Sequence, residues 1–92
     1  PNYTQLITLE FYQQGLTIEE IAQTRNLKLS TILGHLADLV EMEKIIDVDR
    51  IISPERQEII IQAIEKLGDT NALKPIYDYL DEQFNYGELR LV

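Results

Sequence analysis

Apolar residues recur at helical spacing along most of the chain. Leu6, Leu9 and Tyr12 stand three apart, with Ile7 and Phe11 four apart beside them, which predicts a first helix with a broad apolar face. Gly15 sits where a left-handed C-terminal cap would end it. Thr17 opens a second helix, because its hydroxyl can accept from first-turn amides while Glu19 and Glu20 place negative charge at the positive helix end. Glu20 lies three residues on, the spacing of a reciprocal capping box. Ile18, Ile21 and Ala22 form the inner face, and the helix fades by Thr24. Residues 25–29 read as a turn. Ser30 then caps a third helix whose inward stripe is Ile32, Leu36, Leu39 and Val40. Thr31, His35 and Asp38 fall on its other side, with Gly34 beside them, and its end is expected near Glu43 or Lys44.

Residues 45–52 are β-branched and partly alternating, consistent with a short strand or an extended connector. They contain no glycine or Asn-Gly turn, so a two-stranded hairpin is not expected. Ser53-Pro54-Glu55 is a helix start: an N-cap, a proline at the first helical position, then an acid. The fourth helix carries Ile59, Ile60, Ala63, Ile64 and Leu67, and Gly68 ends it, with a turn at Asp69, Thr70 and Asn71. A fifth carries Leu73, Ile76, Tyr77 and Leu80, with Pro75 in its first turn, since an interior proline removes a hydrogen bond and clashes with the preceding turn. Asn85 followed by Glu88 three later predicts a last short helix anchored by Tyr86 and Leu89. The expected fold is all-α: a three-helix helix-turn-helix core over residues 1–44, a connector over 45–52, and a helical extension of two to three helices over 53–92, in a single domain.

The 92 residues leave room for one domain, and 45% hydrophobic with 26% charged residues is the mix of a folded globular chain. With no cysteine, disulfides, thiolate metal sites and cysteine nucleophiles are excluded. His35 is the single histidine, too few for a multi-histidine zinc centre. The longest apolar run is three residues, so no transmembrane segment is expected, no signal peptide is visible, and the expected location is the cytoplasm. The chain opens at Pro1 without an initiator Met and stops at Val92 directly after a periodic stretch, which reads as a piece of a longer protein.

Net charge is −8, from 16 acidic and 8 basic residues. That opposes strong autonomous nucleic-acid binding, because Lys and Arg neutralising phosphates supply most non-specific affinity, and it opposes an anionic membrane surface. The charge is uneven: between residues 17 and 35, Arg25 and Lys28 balance Glu19 and Glu20, whereas residues 36–49 and 67–92 are strongly acidic. Any contact with DNA therefore belongs to the balanced stretch.

That stretch carries the informative constellation. Two capped helices around a short turn, with inner faces able to pack on each other and on the first helix, are the helix-turn-helix plan, whose second helix presents its amino-terminal turn to the major groove. Ser30 and Thr31 place hydroxyls and backbone amides at the positive helix end, where a phosphate can be held. Arg25 and Lys28 lie in the turn beside the expected sugar-phosphate path, and His35 follows one turn on, pointing outward. Gly34 costs roughly 1 kcal/mol against alanine in mid-helix, which implies a steric need, either approach to DNA or close packing on another helix. The candidate DNA contacts are thus Arg25, Lys28, Ser30, Thr31, Gly34 and His35. Each has a plainer role: an N-cap for Ser30 and Thr31, solvated turn residues for Arg25 and Lys28, a partly packed histidine. Asp38 and Glu41 would repel phosphates and confine contact to the first turns. The tyrosines lie at helical spacing and read as core edge, and the acidic run over 41–49 lacks the ligand alternation and glycine of a calcium loop.

The stretches GLTIEEIAQTRNLKLSTILGHL, SPERQEIIIQAIEKLG, LKPIYDYL and NYGELRLV together resemble the helicase-associated helix-turn-helix domain at the carboxyl end of some RecQ-type ATP-dependent DNA helicases. The likeness runs over nearly the whole chain, with LKPI and YGELRLV as the more specific closing elements. It implies an accessory DNA-binding or substrate-positioning module serving recombination and repair, with the remainder of a parent helicase as partner. It brings no motor chemistry, since no GxxxxGK phosphate loop or DExH-type motif occurs. No catalytic residue, cofactor, metal or small-molecule substrate is expected, and the chain is not expected to be an enzyme by itself. The GLTIEEIAQ and STILGHL portions are also similar to the output domain of LuxR-type transcription regulators, although residues 53–92 have no counterpart there. A third reading is a protein–protein interaction module in which the acidic faces meet a basic partner or the rest of the parent chain.

Overall fold

The computed structural model describes residues 1–68 and 71–92. It is all-helical, with no strand among the described residues, and these residues group into two compact units, Pro1–Asp47 and Val48–Val92.

The first unit holds α1 (Tyr3–Gln13), α2 (Ile18–Arg25) and α3 (Leu29–Glu41), each packed on the other two. Asn2 caps α1: its side chain accepts from the Gln5 amide, while its own N–H donates to Gln5 Oε1, both at 2.9 Å. Gly15 takes φ +97°, a conformation that side chains disfavour, and the Leu16 amide reaches back to the Phe11 carbonyl at 3.2 Å. The expected capping box at the start of α2 is present: Glu20 N–H donates to Thr17 Oγ1 and Thr17 N–H to Glu20 Oε1. Asn26 in the left-handed region ends α2, so the turn to α3 spans only residues 26–28 and Arg25 belongs to the helix.

Two faces differ from the sequence expectation. On α1, Thr8 is fully buried and Tyr12 nearly so, while Leu6 is exposed. Apolar residues surround most of that helix, so periodicity alone could not choose its inward side; the polar partners of Thr8 do. On α3, Ile32, Leu33, Leu36, Ala37 and Leu39 are all buried, and His35 and Asp38 turn toward α1 rather than outward. The unit closes with Glu43 in the left-handed region and the Lys44 amide bonded to the Leu39 carbonyl at 2.8 Å, which brings Ile45 into a buried position.

The second unit opens with a turn in which the Ile51 and Ile52 amides both donate to the Val48 carbonyl. The connector is thus no strand: Ile52 is buried, and Gln57 Nε2 donates to its carbonyl and to Asp49. α4 (Pro54–Leu67) starts as expected, with Ser53 Oγ accepting from the Arg56 amide. Ile60 and Ala63 are buried, whereas Ile59 and Ile64 stay exposed. The turn expected at Asp69 and Thr70 lies outside the described residues. α5 (Lys74–Tyr79) has Pro75 in its first turn and buries Ile76. α6 (Tyr86–Leu91) begins at Asn85 with the reciprocal Asn85–Glu88 cap and buries Leu89 and Leu91. Tyr86 stacks on Tyr77 with ring centroids 4.4 Å apart instead of entering the core. Arg56 binds Glu88 through two nitrogens at 3.0 Å each and lies 4.1 Å over the buried Phe84 ring.

Candidate nucleic-acid interface

The amino-terminal tip of α3 is open. Lys28 is the N-cap residue, no side chain caps the first turn, and Lys28, Ser30 and Thr31 are all exposed. Ser30 is therefore the second helical residue and not the N-cap that the sequence led one to expect. The reason lies one turn earlier: the left-handed Asn26 ends α2 so tightly that the chain re-enters a helix at Leu29. The Thr31 and Ile32 amides bond to the Lys28 carbonyl, and the first-turn amides lie beside a cationic side chain and two hydroxyls. Leu27 and Leu29, exposed on either side of Lys28, were not singled out by sequence. Two apolar residues bracketing a lysine at a helix start carry no periodic signal.

Gly34 is half-buried one turn further on. A Cβ built there would meet nothing within 4 Å, so close packing among the described residues does not explain the glycine.

Arg25 and His35, expected as outward contacts, instead face inward. Arg25 Nη1 donates to the Thr4 carbonyl at 2.8 Å and to Thr8 Oγ1 at 2.6 Å, and Nη2 donates to Thr4 Oγ1 at 2.8 Å. Thr8 Oγ1 is also 2.9 Å from His35 Nδ1. Beside this junction Gln5 Nε2 donates to Asp38 Oδ2 at 2.7 Å. The physical cause is demand for partners: a guanidinium has five N–H groups, and α1 offers a carbonyl and two hydroxyls on one face. Burial pushes the His35 imidazole below its ordinary value, the Arg25 charge pushes it further down, and Asp38 opposes both. Neutral imidazole is thus favoured, and in its Nε2–H tautomer Nδ1 accepts from the Thr8 hydroxyl. Thr4, Gln5 and Thr8 are the residues that sequence reasoning missed here, and Asp38, read as an outward repeller of phosphates, pairs with Gln5 instead. Thr4 and Thr8 share one helix face, but no local rule links them to an arginine on another helix.

The structure therefore brings Lys28, Ser30 and Thr31 together at one exposed tip, with Gly34 open behind them, whereas Arg25 joins α2 to α1 and His35 joins α3 to α1. No cluster of metal-ligating side chains occurs among the described residues, and no described helix is long and apolar enough to cross a membrane.

The chain is similar to Protein YpbB of Bacillus subtilis (strain 168), 32% identical over 84 residues, covering 91% of this chain and 24% of that protein. It is also similar to the ATP-dependent DNA helicase Pif1 of Psychrobacter sp. (strain PRwf-1), 29% identical over 115 aligned positions, covering 96% of this chain and 18% of the helicase. The chain thus spans a quarter or less of the curated relatives it matches. No solved structure matches it. A family model described as a helix-turn-helix domain matches residues 4–92, and with its three-helix core and open third-helix tip the chain belongs to that helix-turn-helix family.

Proposed function

We propose that this chain is an accessory DNA-binding and substrate-positioning module of an ATP-dependent DNA helicase in the cytoplasm, touching DNA through the first turn of α3. The observation that carries the reading is the exposed, uncapped start of α3 with Lys28, Ser30 and Thr31 on it, in a chain of helix-turn-helix family. Lys28 supplies charge, Ser30 and Thr31 supply hydroxyls, and Gly34 allows close approach of a backbone or base edge. The similarity to a Pif1 helicase, and the resemblance to the RecQ-associated domain, support a helicase as parent chain. A role in recombination and repair follows from that parentage. Weak binding suffices, because tethering to a motor raises effective concentration.

Titration of labelled duplex and forked DNA at low salt tests this. Lys28→Glu and Thr31→Glu are expected to abolish binding, with chemical-shift changes confined to residues 28–34 in the parent sequence. Shift changes elsewhere, or unimpaired binding by both variants, would overturn the site. The net charge of −8 favours a second reading, a module docking on a basic partner. A pull-down with the parent's other domains that is insensitive to Ser30 and Thr31 substitution would select it.

A further inference from the structure

We propose that Thr8 is the positioning residue for the DNA-reading tip of α3, and that proton uptake by His35 releases that helix from α1. The consequence for DNA rests on the functional reading above; the release itself does not.

The geometry is a three-helix junction on one oxygen. Thr8 is fully buried on α1, its Oγ1 accepts from Arg25 of α2 at 2.6 Å, and it lies 2.9 Å from Nδ1 of His35 on α3. Arg25 is locked in this position by its further bonds to the Thr4 carbonyl and hydroxyl. A guanidinium does not give up its proton, so the Thr8 oxygen always accepts from Arg25. Its single O–H is then available for Nδ1, which can take it only when the ring proton is on Nε2.

A protonated ring carries N–H on both nitrogens. Nδ1 then no longer accepts the Thr8 O–H, which must turn away while the oxygen's second lone pair takes Nδ1–H, and a second positive charge stands beside Arg25 around a buried oxygen. The groups facing His35 are Arg25 from α2, which opposes the proton, and Asp38 from its own helix, which favours it. From α1 come the uncharged Thr4, Gln5 and Thr8, and Gln5 occupies an oxygen of Asp38. Burial and Arg25 outweigh Asp38, so the ring holds its proton less tightly than usual. His35 follows Thr31 by one turn, so freeing it unseats the tip that carries Lys28, Ser30 and Thr31.

The sign of the pH effect separates this role from direct contact. A histidine touching phosphate strengthens binding when protonated. A histidine that holds the helix only while neutral weakens it.

The test measures affinity of the chain for labelled duplex at constant ionic strength from about pH 7.5 to about 5.5, the window in which histidine titrates. The wild type is compared with Thr8→Ser, Thr8→Val and His35→Gln, alongside NMR titration of the His35 ring and hydrogen exchange of α1 and α3 amides. The wild type and Thr8→Ser are expected to lose affinity several-fold on acidification, with faster exchange in α1 and α3 over the same range. His35→Gln is expected to stay flat, and Thr8→Val to bind weakly at neutral pH with a His35 ring that titrates higher than in wild type. Affinity that rises with acid in the wild type and not in His35→Gln would make His35 a phosphate ligand and overturn the proposal. Identical ring titration in wild type and Thr8→Val would overturn the role of Thr8. If Thr8→Val does not fold, retention of the wild-type profile by Thr8→Ser and its loss in His35→Gln decide the matter. A chain that binds no DNA at any pH sinks the functional reading alone. Exchange that accelerates as His35 takes up its proton then sustains the positioning claim, and exchange indifferent to that proton overturns it.

Discussion

Glycine at position 34 stands in a helix interior with open space where a side chain would be. Among the described residues nothing needs that space, so Gly34→Ala is expected to raise stability by about 0.5–1 kcal/mol through reduced backbone entropy in the unfolded state, read by urea denaturation. The same substitution is expected to weaken DNA binding, since a methyl group would stand where the helix approaches its target. His35 gives a second residue-scale expectation. Its folded value lies below the ordinary 6.5, so the unfolded chain binds more protons in the interval between the two. The stabilisation is fully present above about 6.5 and is lost as pH falls through the lower folded value. Thermal midpoints across that range should fall for wild type and stay level for His35→Gln, because no other histidine titrates there. Equal slopes for the two would mean that burial of the ring has no energetic weight.

Among the helices, α3 is the one in its unit whose start lacks a side-chain cap, while Asn2 and Thr17 form full boxes on α1 and α2. Lys28→Ser should therefore stabilise the fold by about 0.5–2 kcal/mol by supplying the missing acceptor. It should at the same time weaken DNA binding by removing the cation at the tip. Gain of stability with loss of binding would mark the uncapped start as a functional compromise; loss of both would assign Lys28 a structural role. In the second unit, Arg56 joins the start of α4 to α6 through its paired bonds to Glu88 and covers Phe84. Its side chain is 43% exposed, which discounts the ionic part. Arg56→Ala is expected to cost roughly 1–2 kcal/mol, mostly from the hydrogen bonds and the lost cover of the ring. Hydrogen exchange of the α6 amides should report the loss locally.

For the molecule as a whole, the net charge of −8 limits how DNA can be held. Lys28 is the cation at the tip that forms no ion pair among the described residues, and Arg25 is engaged with α1. One or two phosphate contacts at a slope of roughly 0.9 each predict a roughly 3- to 12-fold loss of affinity between about 50 and 200 mM salt. A slope several times steeper would require a basic surface beyond the α3 tip and would move the interface elsewhere. Such a shallow dependence suits a module that biases placement while a tethered motor supplies most of the affinity.

What the sequence determined by itself was local. The existence and order of the helices, the boxes at Thr17 and Asn85, the Ser53-Pro54 start and the end at Gly15 were all legible, because caps and turns are decided by residues within one turn of each other. The exposure of Lys28, Ser30 and Thr31 was legible too, but the N-cap of α3 was not, since it falls on Lys28 and not on Ser30. Tertiary structure alone decided which way the ambiguous faces turned. Thr8 displaced Leu6 from the inner side of α1, and Arg25 and His35 were drawn inward, because a buried hydroxyl and a guanidinium must find partners on other helices. No pattern within a single helix records which partner, seventeen or twenty-seven residues away, will satisfy it.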